Sequence, residues 1–156
     1  MNNWSIVVSS VNLKTNDMSS IISNFYIDMQ GNCFPCFEWT DFTGTIIQWW
    51  TNEMLSIEDK DTHRTKLMFM DGPFYLNVAK DACKKLTIQC IDSRNNHETS
   101  VYEFSCDYIE FLYNLILALK NYMRILKSMG LWVGSNRSLY TEAEQKLSNV
   151  IKRNRN

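Results

Sequence analysis

Acid–base or metal chemistry would fall first to histidine, whose imidazole titrates near neutral pH, and the chain has only His63 and His97. Both lie in polar stretches, Ser56–Arg64 and Ser93–Glu98, where no sequence neighbour orients the ring. Each reads as a solvated loop residue. Cys33-Phe-Pro-Cys36 has the CxxC spacing that serves thiol–disulfide exchange or zinc binding. Zinc needs two further ligands, and Cys83, Cys90 and Cys106 form no second close pair. A redox CxxC opens a helix, whereas Phe37-Glu38-Trp39 reads as extended, so these thiols are expected to be structural. Asp59-Lys-Asp61-Thr-His63 offers oxygen ligands but lacks the glycine and distal glutamate of an EF-hand loop. No GxSxG, HExxH, P-loop or GxGxxG occurs. We therefore assign no catalytic, cofactor-binding or metal-binding residue and expect a binding protein, not an enzyme.

Composition agrees with that class. The 156 residues are 45% hydrophobic and 21% charged, which suits one globular domain over 1–156 with no linker. Met1–Leu13 lacks the basic lead and apolar run of a signal peptide, and Phe111–Leu119 is too short to span a bilayer. With five cysteines, an odd number, these features predict a reduced, cytoplasmic protein with no membrane partner. Charge is uneven: residues 1–110 carry 8 Lys and Arg against 15 Asp and Glu, while residues 111–156 carry 8 against 2. The acidic part suits a basic partner and disfavours nucleic acid. Lys146, Lys152, Arg153 and Arg155 read as a basic helix end complementing the helix dipole. The basic tail can also screen the acidic part within the monomer.

The elements follow from hydrophobic period. Trp4–Leu13 and Ser20–Gln30 read as strands of an N-terminal hairpin joined by the polar turn at 14–17; in the second, Ile21, Phe25, Ile27 and Met29 share one parity. Asn32–Trp39 is a short extended piece restricted by Pro35. Ile46, Ile47, Trp50 and Met54 share one face of a helix over 44–56, on which Trp49 and Trp50 point about 100° apart. Lys66–Met70, Phe74–Ala79, Leu86–Ile91 and Thr99–Ser105 predict a four-stranded antiparallel meander. A long helix starts at Asp107 with a capping box to Glu110 and ends at Gly130. Ser138–Arg153 predicts a final helix capped by Thr141 and Glu144. The fold class is α+β: an antiparallel meander sheet packed against a long helix, with a short helix between strands and a C-terminal helix.

An ordered set of residues carries a family resemblance. Trp39-Thr-Asp41-Phe42 is followed by Trp49-Trp50, then Phe69-Met-Asp71-Gly72-Pro73-Phe74, then Phe104, Phe111-Leu112 and Leu126-Lys-Ser-Met-Gly130-Leu131. Over roughly 37–132 this resembles small bacterial immunity proteins paired with polymorphic toxins, including those of contact-dependent growth inhibition. The resemblance implies a cytoplasmic antitoxin that blocks a cognate toxin's active site in a one-to-one complex. Many such toxins are nucleases and basic, which the acidic excess would match. The resemblance carries over no toxin-contact residue.

Capture of a basic partner needs a rigid surface, acidic groups for fast association and an anchor for slow release. On that ground the candidate partner-binding residues are Trp49, Glu58, Asp59, Asp61, Asp92 and Glu98, with Asp71 a neighbour. Two rival classes are an enzyme whose polar residues converge from distant positions, and a small-ligand or regulatory module with an apolar cavity between sheet and helix.

Overall fold

The computed structural model describes residues 3–15, 21–70 and 72–155. Among these, the chain is α+β, with two antiparallel sheets and three α-helices. In the first sheet the central strand β2 (Ile21–Met29) pairs with β1 (Ser5–Thr15) on one side. The short strands β3 (Asn32–Phe34) and β4 (Thr40–Asp41) pair with it on the other. The N-terminal hairpin is therefore present, although part of its expected turn lies outside the described residues. The alternation in β2 suggests one solvated face, yet Asn24 and Tyr26 are buried along with Phe25 and Ile27. Phe37, edge-on to the Tyr26 ring at 5.9 Å, packs on the face that period alone leaves open.

The second sheet is the meander read from sequence: β5 (His63–Met68), β6 (Phe74–Lys80), β7 (Lys85–Asp92) and β8 (Thr99–Asp107), paired in chain order. Register brings Leu67 opposite Leu76 and Leu76 opposite Cys90, and sets Val78 opposite Ile88. These side chains form the fully buried face of the sheet. His63 opens β5 opposite Lys80 instead of lying in a loop, because the pairing continues past the expected strand end. His97 lies just after a 3₁₀ turn at Arg94–Asn96, exposed as a loop residue.

Helix α1 (Thr43–Ser56) connects the sheets, α2 (Tyr108–Ser128) packs chiefly along β1 and α3, and α3 (Gly134–Arg153) closes the fold. α2 ends as its sequence predicts. Gly130, at φ +70°, lets Leu131 N–H reach the Leu126 carbonyl at 2.8 Å and Gly130 N–H the Lys127 carbonyl at 3.1 Å. That pair of bonds is the Schellman ending, which satisfies carbonyls the helix leaves over.

Neither expected capping box forms. Asp107 occupies the N-cap of α2 in extended backbone but makes no side-chain cap bond. Glu110 instead accepts the Trp4 indole N–H at 2.9 Å, a tertiary contact that takes it from the local one. Thr141 lies inside α3, which starts seven residues earlier than that cap, at Gly134. Tyr140, buried against Tyr122 with rings 5.3 Å apart, supplies the packing that extends the helix backwards. Glu144 approaches Lys120 of α2 at 3.8 Å.

The core converges on Trp50, which is fully buried. Its ring meets Phe25 of β2 at 5.0 Å, Phe69 at 5.4 Å and Phe111 of α2 at 6.4 Å. Its indole N–H donates to the Met68 carbonyl at 2.8 Å, fastening α1 to β5. Gly44 permits the close approach of α1 to α2 and α3, since an added Cβ would lie 2.7 Å from the Tyr122 hydroxyl and collide with that of Tyr140. Lys80 is buried with its ammonium donating to the carbonyls of Glu58, at 3.3 Å, and of Lys60. A buried cation is tolerated because those acceptors replace water.

Candidate partner-binding surface

Adjacent tryptophans on α1 reach opposite environments. Trp50 is in the core, and Trp49 is 44% exposed. Beside Trp49, on β5, Met68 is 42% exposed, and Met70 just beyond the strand is 36% exposed. Trp49, Glu53, Lys66 and Met68 line a hollow of ≈ 150 Å³ whose floor is Trp50 and Leu67. The patch stands on a fixed frame. Trp50 holds the β5 backbone from below, and Glu53 accepts the Thr65 hydroxyl at 2.7 Å across the same α1–β5 seam. A large aromatic on a rigid support is the usual anchor of a protein interface.

Glu98 belongs to the same side of the molecule. It accepts the Tyr75 hydroxyl at 2.5 Å and lies 3.9 Å from Lys66, whose ammonium sits 4.6 Å from the centre of the Tyr75 ring. Burial first, then the Glu98 carboxylate, pushes the Tyr75 phenol up to about 12. Lys66 thus links Glu98 to the Trp49 hollow.

The other candidates divide. Asp59 and Asp61 are exposed in the turn between α1 and β5. Glu58 in the same turn is drawn inward, its side chain 16% exposed and paired with Arg153 at 2.9 Å. Asp92 is held by Arg94, whose Nη2 donates at 2.6 Å and whose backbone N–H donates at 3.0 Å. The Arg94 hydrogen bonds keep the Asp92 carboxyl below its ordinary value. Asp71 lies outside the described residues.

The Cys33–Cys36 segment spans the cis Phe34–Pro35 peptide at the end of β3. Burial and the nearby Asp28 carboxylate push the Cys33 thiol up, away from the thiolate that redox or metal chemistry uses. Among the described residues no group of three or more His, Cys, Asp or Glu is placed to hold a metal ion. His63 lines a hollow of ≈ 530 Å³ with Arg64, Lys80, Asp81 and Lys85. Its central groups serve the backbone: Asp81 accepts the N–H groups of Cys83 and Lys85, both at 2.9 Å, and Lys80 holds the turn after α1.

Sequence reasoning passes over Met68 and Met70, although a signal exists. They share the parity of Lys66, opposite to that of buried Leu67 and Phe69, which assigns them to the outer face. No protein-family model, curated protein or solved structure matches this chain. Among the described residues, no helix is long and apolar enough to cross a membrane.

Proposed function

We propose that this protein is an immunity protein: it captures a cognate bacterial toxin domain, one-to-one and in the cytoplasm, and blocks its active site. The single observation that carries the reading is Trp49, 44% exposed on a helix whose next residue is fully buried. An exposed indole on so rigid a support gains affinity without the entropy cost of ordering a loop. Exposed Met68 extends the apolar centre, while Glu53, Lys66 and Glu98 form a charged border. That arrangement, apolar inside and polar at the rim, is the common anatomy of a protein interface. The acidic excess over residues 1–110 suits a basic partner such as a nuclease and would speed its capture. On this reading the chain needs no reactive centre, cofactor or metal of its own.

The test is co-expression with the toxin domain encoded beside its gene. Growth rescue, with a stoichiometric complex on co-purification, is expected. Rescue without a complex, or a substrate turned over by the isolated chain, would overturn the proposal.

A further inference from the structure

Down the solvent side of α2 run Tyr113, Leu117, Lys120, Arg124 and Lys127, all exposed. Steps of alternately four and three residues set them in one row along the helix. The row is about 21 Å long at 1.5 Å per residue. It holds no Asp or Glu, in keeping with the 8 Lys and Arg against 2 Asp and Glu of residues 111–156.

Each end of the row is closed by a cation on an aromatic ring. At one end the Arg155 guanidinium lies 4.9 Å from the centre of the Tyr113 ring, and it donates to the Tyr113 hydroxyl at 2.7 Å. At the other the Lys127 ammonium lies 5.0 Å from the centre of a Trp132 ring, and the adjoining Val133 is 58% exposed. Between the two ends Leu117 is 51% exposed. Among the described residues Glu144 is the one carboxylate paired with the row, 3.8 Å from Lys120. Arg124 donates to the neutral Asn121 amide at 2.8 Å. Neither Arg124, Lys127 nor Arg155 has a carboxylate partner among the described residues.

We propose that this face docks on the surface of an anionic lipid bilayer, with the α2 row parallel to the membrane plane. Its cations meet lipid phosphates, Leu117 and Val133 enter the headgroup layer, and Tyr113 and Trp132 lie at its level. Lys and Arg suit that boundary, since their apolar stems stay low while the charged ends reach phosphate. A nucleic acid fits less well. Bases stack on bare aromatic faces, whereas the Tyr113 and Trp132 rings each already carry a cation. The expectation of no membrane partner rests on the absence of a spanning segment, and docking on a surface requires none. The inference is independent of the toxin-capture reading, and the face shares no residue with the Trp49 hollow.

The test is co-sedimentation of the full chain with vesicles of phosphatidylcholine and phosphatidylglycerol in equal parts, against vesicles of phosphatidylcholine alone. Pelleting with the mixed vesicles only, reduced by salt, is expected. Arg124→Glu with Lys127→Glu should lower the partition about tenfold or more. Leu117→Ser should lower it about threefold or more. Circular dichroism checks the fold of both variants. No pelleting with the mixed vesicles, equal pelleting with both kinds, or a folded double variant that binds like the parent overturns the proposal. The first two outcomes need no variant, so misfolding of one leaves the test intact. Tighter binding of duplex DNA than of the mixed vesicles at the same salt would overturn it too, and assign the face to nucleic acid. Toxin neutralisation through Trp49 survives each of these results.

Discussion

Arg153, near the end of α3, donates to both carboxylate oxygens of Glu58, at 3.2 and 2.9 Å, and so ties the basic tail to the turn after α1. Asn154 adds a bond to Glu58 at 3.3 Å. Part of the opposite charge in the two regions of the sequence is thus cancelled inside the monomer. Arg153 is 63% exposed, so solvent screens the pair. Arg153→Ala should cost about 0.5–1 kcal/mol, and less in high salt. Urea denaturation at two salt concentrations measures this; an unchanged midpoint would mean the tail is not held.

That ion pair decides which charges of the turn are free to meet a partner. Reversing Glu58 would break an internal contact, so the informative variant is Asp59→Lys with Asp61→Lys, both exposed. Association with the toxin should slow and lose part of its salt dependence while stability stays within about 0.5 kcal/mol. Stopped-flow kinetics is the measurement. Identical association rates for variant and parent would exclude the turn from the interface.

The tryptophan pair separates folding from binding. Trp50→Ala removes the central ring and its bond to Met68, and should cost about 3–5 kcal/mol of stability. Trp49→Ala should cost about 1 kcal/mol or less in stability but about 2 kcal/mol or more in toxin affinity. Calorimetric titration against unfolding curves checks both. A Trp49→Ala protein with full affinity would move the interface elsewhere.

Alkaline pH should destabilise the fold. Burial pushes the Cys90 thiol from 9.0 up to about 12. Burial first, then Glu110 and Asp107, raises Cys106, and burial raises the Tyr108 and Tyr122 phenols. Below pH 9 a thiol is protonated in both folded and unfolded chains, so the Cys90 contribution is fully present. As pH rises from 9 towards 12 the unfolded chain releases a proton that folded Cys90 retains, and stability falls. Urea midpoints should therefore decline above pH about 9. In the native state exposed Cys36 and Cys83 should react with a thiol reagent well before Cys90 and Cys106. Flat alkaline stability would contradict the burial of these groups.

Most elements are legible because helix and strand periods are local properties. The shift from two to 3.6 residues at Asp107, the apolar face of α1 and the glycine stop at 130 all act between near neighbours. Both capping boxes misled for the complementary reason: Glu110 found a distant partner in Trp4, and packing of Tyr140 on Tyr122 carries α3 back to Gly134, which leaves Thr141 inside the helix. The sites were half legible. Helical spacing puts Trp50 on the apolar face with Ile46, Ile47 and Met54 and turns Trp49 away from it, but gives no sign that Phe25, Phe69 and Phe111 are the rings that meet Trp50. The partnering of Glu58 with Arg153 has no local signature at all.

By itself, then, the sequence determined where the backbone bends into strand or helix, since side-chain spacing dictates which face of each element can shed water. Only the tertiary structure decided which charges are neutralised and which aromatics stay exposed. Those outcomes depend on how two sheets and three helices stack, and stacking joins residues whose order along the chain carries no record of the meeting.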